Sequence, residues 1–309
     1  MTFFYPVSLM SNKILFPLVF SVIFLFFGFW LIHSEVADLG LAFFIFLPII
    51  LGFTFGERTL KSVAFLGLIM GLAIFLLLLL YWELEGVVCI LMASPLILLG
   101  VGIGISIKYV YLKLNNKEKG DNTIKSSIIP FVLLTIVSLG EKTILSKTLE
   151  IETVTTSISL PYSSMEVYDG IKSVNKLDGP KPFLMKLDLP IPLKCVLEEE
   201  KVGALRTCYF EKGKIIERVT ELSKGKILRM DVIDYQLTGR SWLNFDEAIY
   251  TFEAIDEKHC KMSRITTYTS ALYPRLYWSP LEKIGVSQEH DYVINNLIKD
   301  LKSSSKKNL

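Results

Sequence analysis

The hydrophobic positions of this chain fall into two regimes. Up to Gly140 they come in long unbroken runs, and beyond Glu141 they come in short alternating segments. Four runs, Ile14 to Ile32, Leu39 to Phe55, Ser62 to Trp82 and Gly86 to Ile107, each approach the roughly 20 residues a helix needs to cross a bilayer core. All four are therefore expected to span. The first has no small-residue cleavage site and leads directly into the second, so it reads as an uncleaved anchor and not a signal peptide. A fifth run, Ser126 to Gly140, is uncharged but reaches only about 22 Å as a helix, against a core of about 30 Å. Lys125 and Lys142 at its ends can snorkel, so it either spans or lies as a re-entrant or interfacial helix.

Charges between the runs set the orientation. Lys13 precedes the first, Arg58 and Lys61 separate the second and third, and Lys108, Lys113, Lys117 and Lys119 follow the fourth; Glu35, Asp38, Glu83 and Glu85 fill the alternate loops. Cationic loops stay on the cytoplasmic side, which puts the N-terminus inside. If the fifth run spans, all that follows is extracytoplasmic. No ionisable residue lies near the middle of a run, which disfavours an ion- or proton-coupled pump. The glycines of "GVGIG", Gly100 to Gly104, sit inside a lipid-length apolar run and predict close helix packing, not a phosphate-binding loop.

The second regime predicts a separate domain starting near Leu149. "IETVTTSISL" alternates and is β-branched, as a strand; "PYSSMEVYDGIKS" offers Ser163 or Ser164 as an N-cap, with Met165, Tyr168 and Ile171 at helical spacing. A loop carrying Pro180, Pro182, Pro190 and Pro192 follows. Six further segments, "LKCVLEE", "ALRTCYF", "KIIERVTEL", "KILRMDVIDYQL", "EAIYTFEAI" and "CKMSRITTYTSAL", read as strands with connections short enough for antiparallel pairing. Ser279, Pro280 and Glu282 then supply the N-cap, first-turn proline and capping-box glutamate of a long final helix. Its apolar stripe runs through Leu281, Ile284, Val293, Ile294, Leu297 and Leu301, with an irregularity expected around Gly285. "KSSSKKNL" at the end reads as a disordered polar tail.

That order of elements, with the run Gly203, Arg206, Phe210, Gly213 and Glu217 and the stretch "TTYTSALYPRLYWSPLE" leading to His290, resembles the START-like superfamily. This is the polyketide cyclase/dehydrase and lipid-transport group, also called SRPBCC, that includes Bet v 1-type proteins. The resemblance covers about residues 149 to 302 and implies a curved sheet gripping the last helix around an apolar cavity. It implies binding of a lipid, hormone or polyketide, and no single reaction. The expected fold class is an α-helical membrane region of four or five transmembrane helices followed by an α+β helix-grip domain, a seven-stranded antiparallel sheet around a long C-terminal helix. The expected domains are 1–145 in the membrane, 149–302 as the ligand-binding domain, and 303–309 as the tail.

Candidate chemistry is sparse. With Lys212 and Gly213 as a two-residue turn, Cys208 would face Glu217, and Arg206 would stand diagonal to it on one face with Phe210, Ile215 and Val219. The Arg206 and Glu217 pair is then either a polar anchor for a ligand or a structural cross-strand ion pair. His290 falls on the apolar stripe of the final helix and is the candidate acid–base residue, weighed against a core histidine with a backbone partner. Trp242 and Phe245 in the loop after "DYQLTGR", and Tyr273, Tyr277 and Trp278 before the last helix, either frame a cavity mouth or belong to the core. Tyr235, Tyr250, Tyr268 and Met230 are strand residues on which ligand contact and core packing compete.

Composition adds exclusions. Of the 309 residues 51% are hydrophobic and 21% charged, and the mean hydropathy is +0.45, too oily for a uniform soluble globule. A net charge of +2 gives no footing for nucleic acid. Four cysteines without C-x-x-C spacing indicate neither a zinc site nor a disulfide framework, and free or buried thiols are expected. No metal or cofactor is called for. The expected function is membrane-anchored binding, sensing or transfer of a hydrophobic, lipid-like molecule, with the bilayer as the other partner. The alternatives are a membrane-bound cyclase or dehydratase, or a non-catalytic partner-recruiting module.

Overall fold

The computed structural model describes residues 7–55, 63–114, 128–144, 150–237 and 242–307. Arg58, Lys61, Lys117, Lys119, Lys125 and the boundary near Leu149 lie outside them. The chain divides into two compact units: Met1–Glu85 with Cys89–Thr148 and Ala271–Pro274, and Gly86–Val88 with Leu149–Ser270 and Arg275–Leu309.

The first unit is helical: α1 (Val7–His33), α2 (Leu47–Phe55, entered through a π-helical turn at Ala42–Phe46), α3 (Val63–Tyr81), α4 (Val87–Leu114) and α5 (Ile129–Ile144). Among the described residues three helical stretches are long and apolar enough to cross a membrane: Lys13–His33, Val63–Tyr81 and Val87–Leu114. The described helical part of the second hydrophobic run, Ala42–Phe55, is shorter, about 21 Å at helical rise. Its start is fixed by the Glu141 carboxylate of α5, which accepts the backbone N–H groups of Leu41 (2.9 Å) and Ala42 (2.7 Å) and so satisfies donors that a helix start leaves open.

Packing in this unit follows small residues and phenylalanines. A Cβ on Gly104 would come within 2.1 Å of the Ile49 carbonyl, and one on Gly52 within 2.2 Å of the Val101 carbonyl, so α2 and α4 meet backbone to backbone through the "GVGIG" segment. Phe131, near the start of α5, packs on Phe20, Phe24 and Phe27 of α1 with ring centroids 5.6, 5.0 and 5.0 Å away. At its other end, Lys142 donates to the Glu35 carbonyl just past α1. Helices α1 and α5 therefore run side by side in the same direction.

The second unit is a seven-stranded sheet in the order β1-β7-β6-β5-β4-β3-β2, with every neighbouring pair antiparallel. Its strands are β1 (Ile151–Leu160), β2 (Pro192–Leu197), β3 (Leu205–Phe210), β4 (Gly213–Ser223), β5 (Ile227–Leu237), β6 (Leu243–Ala254) and β7 (Cys260–Ser270). Helices α6 (Ser164–Lys172) and α7 (Phe183–Lys186) lie between β1 and β2, and α8 (Arg275–Lys307) closes the chain. Element order and pairing are those of the helix-grip fold. Ser163 caps α6 in a complete capping box with Glu166. The core joins Val167, Tyr168 and Ile171 of α6, Tyr292, Val293, Ile294, Leu297 and Leu301 of α8, and the inward strand residues Leu228, Met230, Phe252 and Met262.

Several local expectations change. The hairpin turn is Glu211–Lys212, with Phe210 opposite Gly213. Gly213 begins β4 at φ +128°, where a Cβ would meet the Gln236 carbonyl at 1.8 Å, so glycine serves strand packing there and not the turn. The register moves by two residues, which keeps every side chain on its face and sets Arg206 directly opposite Glu217. Strand β6 starts at Leu243, which takes Phe245 out of the expected loop. Helix α8 starts at Arg275, so Tyr277 and Trp278 are helical and Pro280 is internal. The turn ahead of Pro280 is held by the burial of Trp278 and by Arg275 gripping both oxygens of Glu282 at 2.9 and 2.7 Å. The helix passes without interruption through Gly285 and on to Lys307, so residues 303–307 of the supposed tail are helical. Ser303 and Ser304 turn their hydroxyls back onto the helix carbonyls of Lys299 and Asp300. Finally, Cys195 and Cys208 are not free thiols: they form a disulfide between paired positions of β2 and β3. Sequence spacing is blind to a pairing that depends on strand register.

Candidate ligand-binding site

The inward side of the sheet is set by alternation. On β7, Cys260, Met262, Arg264, Thr266, Tyr268 and Ser270 are buried, and the residues between them are only partly so or exposed. On β3 and β4 the inward row holds Arg206, Cys208, Ile215, Glu217 and Val219, which settles the concave face of the hairpin. Arg206 lies on β3 and Tyr250 on β6, three strand spacings or roughly 14 Å apart in a flat sheet. Yet the Arg206 guanidinium stands 5.8 Å from the Tyr250 ring centre, because the sheet curves and its inward side chains converge.

Two buried arginines flank Tyr250, with Arg264 lying 5.5 Å from the same ring. They differ in their partners. Arg206, 2% exposed, donates from Nη1 to Glu217 (2.7 Å), from Nε to the Lys172 carbonyl (3.0 Å) and from Nη2 to the Ile171 carbonyl (3.3 Å). All three nitrogens are engaged, and two of the acceptors close the C-terminal end of α6. Burial opposes the guanidinium charge, and Glu217 together with Tyr250 more than offsets it. Arg264, directly opposite Tyr250 on the neighbouring strand, pairs through Nη2 with Glu289 of α8 at 2.6 Å. Its Nε and Nη1 are buried and have no hydrogen-bond partner among the described residues. A buried charged donor left open costs about 1–3 kcal/mol or more.

His290 lies next in sequence to Glu289 and is fully buried. Nδ1 meets the Thr156 hydroxyl at 2.9 Å and Nε2 the Thr266 hydroxyl at 2.8 Å, so its partners are side chains of β1 and β7 and not backbone. A neutral imidazole donates through one nitrogen and accepts through the other, and a hydroxyl complements either. Burial, reinforced by the Arg264 charge, pulls its pKa down to about 2. The ring is therefore uncharged and fully occupied near neutrality, which suits it to holding α8 on the sheet and not to relaying protons.

The expected aromatic residues gather at one end of the sheet. Tyr268 is fully buried with Val154, Leu243 and Val286, and Trp242 and Phe245 pack on that group. Tyr235 extends the row, 5.6 Å from Phe245 between ring centres. Burial and the nearby Glu282 push the Tyr268 phenol upward. Trp278 is buried in the first turns of α8. Beside this end, Glu282 also accepts from Ser270 (2.7 Å), and Arg275 and Lys283 both reach Glu152, at 2.9 and 2.7 Å. Burial alone would raise the Glu152 carboxyl, but these cations with Ser279 hold it at about 2. The structure thus brings Arg206, Glu217, Tyr250 and His290 to the middle of the concave face and Tyr235, Trp242, Tyr268 and Trp278 to one end.

Sequence reasoning missed Arg264 and Glu289. The available signal was parity: Arg264 shares its face with Met262 and Tyr268 in a strand whose alternation was already read. A separate groove of about 520 Å³, bordered by Leu177, Ile191, Leu193, Tyr209 and Tyr292, touches none of the expected site residues.

Comparison with known proteins yields structural likeness only. No protein-family model and no curated protein sequence matches the chain. Among solved structures, norcoclaurine synthase from Thalictrum flavum is similar at 10% identity, covering 52% of this chain and 99% of its own, with a TM-score of 0.36. An aromatase/cyclase from Streptomyces sp. R1128 shares 10% identity over 50% of this chain and 94% of its own, at 0.35. A START superfamily protein from Mycobacterium smegmatis shares 8% over 49% and 97%, at 0.36.

Proposed function

We propose that the C-terminal unit binds a hydrophobic, lipid-like small molecule carrying a hydrogen-bond acceptor, and that membrane helices of the same chain hold it beside the bilayer. The observation that carries this reading is the open pair of Arg264 nitrogens on the concave face, beside Tyr250 and beneath α8. A carbonyl, carboxylate or hydroxyl oxygen from the ligand would complete them, while the surrounding aromatic and aliphatic side chains would take its apolar body. Membrane anchoring is supported by the three apolar helices of spanning length. An extracytoplasmic position for this unit draws support from three features. The loop charges favour an N-terminus on the inside. Helix α5 runs parallel to α1 and delivers the chain on the side where α1 ends. The Cys195–Cys208 disulfide fits an oxidising compartment.

The test is to purify the full-length protein in mild detergent and identify co-purifying small molecules by mass spectrometry. A stoichiometric lipid-like species with an oxygen acceptor is expected. A preparation that is folded, ligand-free and indifferent to added lipid would overturn the reading and favour a partner-recruiting module.

A further inference from the structure

The outer face of α8 changes character along its length. Its first outward positions, Leu276, Pro280 and Ile284, recur at four-residue spacing and form an exposed apolar stripe, with Leu276 93% exposed and Ile284 50% exposed. Farther along, the exposed positions Asp291 and Asn295 are polar. A stripe of this kind on the solvent side of an otherwise well-packed helix marks an interaction surface.

Connectivity identifies the partner. Helix α5 ends where α1 ends, since Glu141 holds the N–H groups of Leu41 and Ala42 and Lys142 reaches the Glu35 carbonyl. The α1 helix contains a stretch long and apolar enough to cross a membrane, which on the membrane reading sets Ile144 at a membrane face. Only residues 145–150 separate Ile144 from the start of β1 at Ile151, a tether of at most about 25 Å. Ile151 is itself 64% exposed, and the next residue, Glu152, is bonded to Arg275 and Lys283, the immediate neighbours of Leu276 and Ile284. Two short links, one covalent and one through the Glu152 ion pairs, thus join the stripe to the end of α5.

We infer that Leu276, Pro280 and Ile284 dip into the interfacial layer of the bilayer that the same chain crosses, fixing the aromatic end of the grip against the lipid surface. Leu276 and Ile284 enter the boundary between headgroups and acyl chains, as apolar faces of interfacial helices do. The inference depends on the membrane anchor and not on the ligand reading.

The experiment uses the full chain in nanodiscs of phosphatidylcholine and phosphatidylglycerol, with Cys89→Ala and Cys260→Ala removing the free thiols. Leu276→Cys, Ile284→Cys and, as the polar control, Asp291→Cys each carry a polarity-sensitive fluorophore, and lipids bearing a doxyl quencher report contact. Quenching at 276 and 284 is expected to exceed that at 291 several-fold, with a blue-shifted emission. Equal quenching at the three positions overturns the inference. So does a blue shift without quenching that appears only when two copies share a nanodisc, which identifies a second copy as the occupant. Ligand retention in the same preparations reports the interior site separately.

Discussion

The two arginines that flank Tyr250 solve the same problem differently. Arg206 is closed: each nitrogen has an acceptor, one from Glu217 and two from the last turn of α6. Arg264 is open: Glu289 takes one nitrogen, and the other two are buried without a hydrogen-bond partner among the described residues. A buried ion pair that is fully satisfied holds elements together but has nothing left to offer a ligand. One that is half satisfied retains donors for a further acceptor. The expected polar anchor therefore divides into a support, Arg206 with Glu217, and a proposed contact, Arg264.

The largest predicted effect comes from breaking the support. Glu217→Gln leaves the Arg206 charge buried without its counterion and is expected to lower the stability of the C-terminal unit by about 3–5 kcal/mol, read as denaturant unfolding of the purified protein. The paired replacement Arg206→Met with Glu217→Leu should recover most of that loss, since apolar groups of similar size remove both desolvation costs. Comparable losses in the single and double variants would show that the pair does more than offset its own burial.

Next in size is the disulfide that ties β2 to β3 beside this pair. Cys195→Ser with Cys208→Ser should cost about 3 kcal/mol, typical for a short closed loop. Alkylation of the unreduced, unfolded wild type should modify only Cys89 and Cys260; four modified thiols would refute the link.

His290 gives a pH signature. Its folded pKa is pulled from 6.5 to about 2, so the unfolded chain takes up the proton first as pH falls. Stability is thus fully present above pH 6.5 and declines below it by up to about 1.4 kcal/mol per pH unit. His290→Gln should flatten this slope between pH 6.5 and pH 4.5 in thermal unfolding. Glu152, held at about 2 against 4.5, adds stability present above pH 4.5 that is lost as pH falls toward 2. An unchanged slope in the variant would remove His290 as its source.

The same contrast shows what a sequence of this kind carries. Arg206 and Glu217 were legible because they lie close in sequence, and a two-residue error in register preserves the face. Arg264 and Glu289 lie on separate elements, and their meeting depends on how α8 rolls onto the sheet, which local pattern does not encode. The same limit hid the Cys195–Cys208 link. The succession of strands along the chain came through because each strand's alternation is local, while the start of α8 did not, since Pro280 resembles a first-turn proline and the buried Trp278 that extends the helix is a tertiary effect. The long apolar runs were plain, but the start of the helical turn that leads into α2 is fixed by Glu141, far along the chain.

The central claim is that the open arginine, and not the closed one, meets the ligand. Its most direct test compares ligand retention, by mass spectrometry of purified protein, in Arg264→Met and in the Arg206→Met with Glu217→Leu double variant. Arg264→Met should cost under about 1.5 kcal/mol in stability, because the Glu289 left behind is partly solvated, yet lose most of the bound molecule. The double variant should keep it. Retention by Arg264→Met at the wild-type level, or its loss only in the double variant, would contradict the account.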